Sequence, residues 1–315
     1  MVLAACVVDG PPVSAVARED ETITISEQID AVMNRAARLG VPVLAVATTA
    51  VCREGPELKR QLAGNPALQP LVARFALVEL RMSGDDRWEW KRWQDRFDTR
   101  RRNTPQVFVI RADGRMTFSG DPPTDLPGFL REQLDRSGQP IAARQADQFE
   151  ARLEEAVRLQ AEGDLAGALT AVMPAVRIQS FARSVVASVA VRAAVADGLR
   201  ERLARTAEPP PAGPEETAAV RLERVEELVA AADDFGALLP DVARTASRQL
   251  AEIGRDAAGK ETVRQAQLLR RAAVAARRSP DRGQALYRQI IAADPDSPAA
   301  ELAATRLVAA TAAPP

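Results

Sequence analysis

Residues Val41 to Leu62, VPVLAVATTAVCREGPELKRQL, set an apolar run, a turn with a cysteine and a helical pattern end to end. Val41, Val43, Leu44, Val46 and Ala47 are apolar and mostly β-branched, the pattern of a central strand covered on both faces. Such a strand commits this part of the chain to an α/β arrangement, with helices packed on either side of a sheet. Thr48 to Val51 carry the chain off the sheet, Gly55 and Pro56 break it, and Glu57 opens a helix. A proline is tolerated in a first helical turn because its missing N–H has no partner there. Cys52 is therefore placed at or just before a helix N-terminus, where backbone partial positive charge attracts negative charge and reactive thiols are found.

The flanking sequence supplies the rest of an α/β unit. Residues 7–20 hold turn formers without a sustained period and read as a leader or arm, and 21–25 as a short strand. Thr24 with Glu27 fits a capping box. Ile29, Val32, Met33, Ala36 and Leu39 then repeat at helical spacing up to Gly40. Residues 57–62 and 67–74 read as helix interrupted at Gly64-Asn65-Pro66, and Ala76 to Met82 as the second strand. In the helix after Asp85-Asp86, Trp90, Trp93 and Phe97 share one face, while Trp88 lies off it. That face is expected to pack on the sheet, which leaves Trp88 as the exposed aromatic and a candidate binding contact. The competing expectation is an aromatic clamp for a peptide near the cysteine. Gln106 to Ile110 and Arg115 to Phe118 alternate around Ala112-Asp113-Gly114 as a hairpin. Leu126 to Leu134 closes the unit as a helix, and Ser137-Gly138-Gln139-Pro140 reads as a linker.

Taken together, the strand-turn-Cys52-helix segment, the step NPALQPLVARFALVEL, and Thr104-Pro105 followed by QVFVI, Asp113-Gly114 and Gly120 resemble the thioredoxin-like fold family. The likeness runs from Ser26 to about Leu134. It implies a central mixed sheet flanked by helices, with Cys52 as attacking thiol. It also implies a cis-proline at Pro105 that, with Thr104, holds an extended substrate backbone. The loop before that proline faces the active-site turn in the family. Arg101 and Arg102 are on this ground expected beside Cys52 with Arg53, as anion-binding contacts or as part of a solvated loop.

The departures bear on activity. The family's W-C-x-x-C turn is Val51-Cys52-Arg53-Glu54-Gly55 here, so a glycine replaces the resolving cysteine and a valine the tryptophan. The family's buried acid falls on Val46. A dithiol oxidoreductase needs its second cysteine to release the mixed disulfide. With Gly55 in that place, release needs an outside thiol. The expectation is a non-catalytic or weakly redox-active scaffold, the alternative a monothiol oxidoreductase or thiol sensor using Cys52.

From Ala146 onward there is no strand signal, and Ala, Arg, Glu and Leu recur with helical periodicity. Breakers fall at Gly163, Pro174, Gly198, Pro209 to Pro214, Pro240, Gly254, Gly259, Pro280 and Pro295. Leu153 to Leu169 and Gly283 to Arg306 resemble tetratricopeptide repeats, but the middle holds no clean period, so an irregular helical array is expected. Stacked helix pairs of this kind form grooves, usually for a partner protein.

Composition closes off other functions. With no histidine among 315 residues, Ser-His-Asp and Cys-His mechanisms and most zinc sites are excluded. No metal or other cofactor is expected. A net charge of −1 offers no general attraction for nucleic acid. No apolar run is long enough for a membrane span. Leu3-Ala4-Ala5-Cys6 resembles the lipobox of bacterial lipoproteins, although the five residues before Cys6 contain neither a charged nor an apolar leader region. If an upstream signal is missing, Cys6 is the expected lipid anchor and the cell envelope or periplasm the location; otherwise the expected location is cytoplasmic. The expected organisation is a leader at 1–20, a thioredoxin-like α/β domain at 21–138 and an all-helical, tetratricopeptide-repeat-like domain at 139–315.

Overall fold

A computed structural model of the chain describes residues 25–83, 87–99, 103–207 and 217–312. Helix α1, Ile25–Leu39, leads into strand β1, Val43–Thr48. Helices α2, Glu54–Gly64, and α3, Gln69–Val72, return the chain to β2, Ala76–Arg81. After α4, Arg87–Phe97, come β3, Gln106–Ile110, β4, Met116–Gly120, and α5, Leu126–Arg136. The strands form one sheet in the order β2-β1-β3-β4. β1 runs parallel to β2, with Val43 opposite Ala76, and antiparallel to β3, with Val43 opposite Ile110. β4 continues antiparallel from β3. The unbroken apolar run thus lies in mid-sheet, as its composition requires.

Alternation along the strands divides the core into two layers. Leu44, Val46, Val107 and Val109 face Leu58 and Leu62 of α2, Val72 of α3 and Leu130 of α5. Val43, Ala45, Ala47, Phe108 and Ile110 face Met33 and Ala36 of α1 and Trp90 and Trp93 of α4. Both tryptophan rings lie against Phe108, at centroid distances of 6.0 Å and 5.7 Å. The packing expectation for this aromatic face holds, and the clamp expectation fails for Trp90 and Trp93 because both are buried.

An all-helical region follows: α6, Ala143–Ala161; α7, Leu165–Val176; α8, Arg183–Ala207; α9, Ala218–Phe235; α10, Pro240–Ile253; α11, Ala257–Arg278; α12, Pro280–Ala293; and α13, Pro298–Ala312. Its centre is α9, which is buried on two sides. Leu228 and Phe235 pack with α8 and α10, whereas Leu222, Val225 and Val229 pack with α11, α12 and α13. Helix lengths run from 12 residues in α7 to 25 in α8. No uniform pair repeats. Three expected breakers lie inside helices instead: Pro174 in α7, Gly198 in α8 and Gly259 in α11. Pro174 sits near the end of α7 between buried Val172 and Ala175, and tertiary packing there outweighs the lost backbone bond.

The helical region docks on one end of the sheet. The expected linker is pinned: Gln139 N–H donates to Gln179 O at 2.8 Å, and Ile141 N–H to Leu39 O at 2.8 Å. Arg38 at the end of α1 pairs with Asp147 and Glu150 of α6. Arg111, one residue beyond β3, lies over the Phe181 ring with 3.7 Å to its centroid. Gly40 takes φ +72, and a β-carbon there would collide with Ser180 Oγ. All of these contacts are at the Val43/Ile110 end of β1 and β3.

Candidate functional site

The opposite end of β1 carries Cys52. Thr48, the last residue of β1, is buried, and Met82 N–H donates to its carbonyl at 2.9 Å. The chain then turns: Cys52 N–H donates to Thr49 O at 3.1 Å, and Ala50 N–H to Ser83 Oγ at 3.1 Å. Val51 projects outward, 88% exposed. Helix α2 begins at Glu54, three residues earlier than the sequence reading, so Gly55 and Pro56 lie inside its first turn and do not break it. Proline fits there for the reason already given, and the expectation of a break confused a helix start with a turn.

Arg53 is the N-cap residue, exposed, and its side chain makes no capping bond. Cys52 is half-buried and a free thiol. The Gly55 N–H donates to Cys52 Sγ at 3.3 Å, so one of the unpaired amides of the first turn is turned on the sulfur. Gly55 itself is buried. A β-carbon at Gly55 would lie 2.8 Å from Thr48 Cγ2 and 3.1 Å from Thr48 Cβ. The space that a side chain at the second position of the turn needs is filled by Thr48.

The Thr104–Pro105 peptide bond is cis. Gln106 opens β3 opposite Ala47, and continuing that register one residue sets Pro105 opposite Thr48. Cys52, Gly55 and Pro105 are therefore grouped about one residue, Thr48, at one end of the central strand pair. Thr104 is half-buried and Pro105 buried. Arg101, Arg102 and Cys6 lie outside the described residues, as do Thr24 of the expected capping box and residues 21–24 of the expected short strand, whose last residue, Ile25, opens α1 instead. Trp88 belongs to α4, but its side chain is outside the described residues.

Two contributors escaped the sequence reading. Thr48 carries no motif, and its role appears only when Gly55 is folded back against it. Gln106 is fully buried, and neither its amide nitrogen nor its oxygen has a hydrogen-bond partner. A polar residue heading the apolar run QVFVI directly after Pro105 was the signal available. Around the turn, the exposed carboxylate of Glu57 is held below its usual range by hydrogen bonds from Arg60 and Gln61. Lys59 pairs with Glu79 across α2 and β2. Among the described residues no group of acidic, histidine or cysteine side chains is arranged to hold a metal ion, and no helix is long and apolar enough to cross a membrane.

No family model matches the chain, and no curated protein matches it. Among solved structures, a disulphide isomerase from Xylella fastidiosa Temecula1 is similar at 21% identity, covering 37% of this chain and 85% of that chain, with a TM-score of 0.26. The arrangement seen directly is a four-stranded mixed sheet with flanking helices, joined to a large all-helical region.

Proposed function

We propose that the chain is a thioredoxin-like protein with a single-thiol site that works as a scaffold for polypeptide partners and turns over disulfides weakly or not at all. The strand order, the helix start after Cys52 and the cis bond before Pro105 support the family reading. The observation that carries the functional reading is Thr48 against Gly55: the second position of the turn lacks a thiol and also lacks the room for one. In this reading residues 21–138 form the sheet unit and 139–315 the helical unit, which recruits a protein partner. Because the helical unit docks at the Val43/Ile110 end, the Cys52 end is left to a second polypeptide. β1 has six residues, so the two ends are about 20 Å apart. Thr104 and Pro105 contact the extended client backbone, with Arg53 at the rim, and Trp88, Arg101 and Arg102 are the further candidate binding contacts.

A second reading, a monothiol oxidoreductase or thiol sensor, is favoured by the half-buried sulfur and the Gly55 N–H directed at it. The test is exposure to glutathione disulfide followed by intact mass. In the Cys6→Ser variant, where Cys52 is the one thiol present, the proposal expects at most one glutathione added, retained until an external thiol is supplied. Release of glutathione from the unaltered chain without added thiol, as the Cys6 thiolate attacks Cys52 Sγ and leaves a Cys6–Cys52 disulfide, would remove the proposal. If a leader precedes the chain, Cys6 is its lipid anchor and the envelope its location.

A further inference from the structure

We propose that the helical region binds a small organic carboxylate in the partly open cavity between α7, α8, α9 and α11, independently of the cysteine site. The cavity has a volume of about 180 Å³. For scale, an apolar protein cavity of ~150 Å³ holds benzene. Its floor is apolar, made by Leu199 and Leu203 of α8 and Phe235 of α9. Its walls carry Arg202, Arg270 and Arg277 together with the carboxylates Asp164, Glu227 and Asp234.

Arg270 is the group that calls for a ligand. It is 9% exposed, and its fork makes one protein contact, from Nη2 to Asp234 Oδ2. Its Nε has no hydrogen-bond partner. A guanidinium carries five N–H donors, and a buried donor left without an acceptor is destabilising. The other two arginines are exposed and lightly engaged by the protein. Arg277 reaches only Asp164, at 3.9 Å, and Asp164 is already committed to capping α7 through the Gly167 N–H at 3.1 Å. Arg202 makes no side-chain ion pair among the described residues, and the facing carboxylate without one is Glu227 at the exposed rim.

The unpartnered Nε edge of Arg270, with Arg202 and Arg277 beside it and an apolar floor below, matches a molecule with a carboxylate at one end and an apolar body at the other. The planar fork of arginine is suited to a carboxylate, and the Leu199–Phe235 floor excludes a purely inorganic anion as the best fit. Glu227 opposes the ligand's charge and limits affinity.

The experiment is calorimetric titration of the full chain with benzoate, with benzyl alcohol as the neutral isostere and inorganic phosphate as the anion without an apolar body. Saturable one-to-one binding of benzoate is expected, with neither control saturating. Arg202→Gln/Arg277→Gln, at exposed positions that leave the core intact, should weaken benzoate about tenfold or more. Arg270→Lys, which keeps the charge and loses the fork, should weaken it as well. The proposal is overturned if benzoate does not saturate, if benzyl alcohol or phosphate binds as tightly, or if the arginine variants bind benzoate unchanged.

Discussion

Thr48 and Gly55 interlock at the end of the central strand: the threonine methyl occupies the place that a β-carbon on the glycine would take, 2.8 Å away. Glycine is ordinarily a weak choice inside a helix, by roughly 0.5–1 kcal/mol relative to alanine. Here the close approach makes it the residue that fits. Gly55→Cys is therefore expected to destabilise the chain by about 1–3 kcal/mol, as overpacked sites do. Thr48→Ala, which removes the offending methyl, should recover part of that loss in the double variant. Denaturant unfolding of the two variants measures both effects.

A second close approach ties the helical region to the sheet. Gly40 has φ +72, and a side chain there meets Ser180 Oγ. Gly40→Ala should cost about 1–2 kcal/mol for the left-handed backbone, plus the collision. The collision is separable in a double-mutant cycle with Ser180→Gly, which should give a favourable coupling between the two sites. Simple additivity in thermal unfolding would mean that the two do not meet.

Arg111 joins the β3–β4 hairpin to Phe181 and also holds Asp113. The Arg111 guanidinium keeps the Asp113 carboxyl below the usual carboxylate range, against the opposing effect of partial burial. Because the folded value is the lower one, this contribution is fully present above the unfolded value of ~3.9 and is lost as pH falls towards the folded value. Stability measured from pH 6 downward should fall in that acidic range, and Asp113→Asn should flatten this part of the curve.

In the helical region, Arg306 of α13 donates two bonds to Glu226 of α9, both at 2.7 Å. The Glu226 side chain is 11% exposed and that of Arg306 31%, so the pair is only partly screened. Glu226→Gln should cost about 2–3 kcal/mol because it leaves Arg306 uncompensated. Replacing both, as Glu226→Leu/Arg306→Met, should cost less than the single change. Equal losses in urea unfolding would show that the pair itself, and not the orphaned charge, supplies the stability.

Trp90 and Trp93 pack on Phe108 beneath the sheet, so their loss is a core loss. Trp93→Ala is expected to cost ~3–5 kcal/mol. A client-binding role for Trp93 would instead show as weakened binding at unchanged stability.

The sheet was legible in the sequence because its central strands are short, unbroken apolar runs. Val43 to Ala47 fit mid-sheet, and Gln106 to Ile110 lead into a turn with Asp113-Gly114. Helix edges were harder, because glycine and proline act differently at a first turn than in a loop. Gly55-Pro56 looked like a break and proved to be the opening of α2, while Pro174 and Gly198 were absorbed by packing that no local pattern encodes. At the site, Cys52 could be found from its place between strand and helix. Thr48 could not, since its part depends on a contact seven residues along the chain that exists only once α2 folds back. Nor does the chain order say that the helical region docks at the far end from Cys52; that follows from Arg38, Leu39, Gly40 and Arg111 meeting it at one edge.

The most direct measurement is catalysed reduction of insulin disulfides, comparing the unaltered chain with Cys52→Ser. A single thiol without a resolving partner predicts no turnover above the Cys52→Ser background. Sustained turnover that disappears on replacing Cys52 would contradict the account.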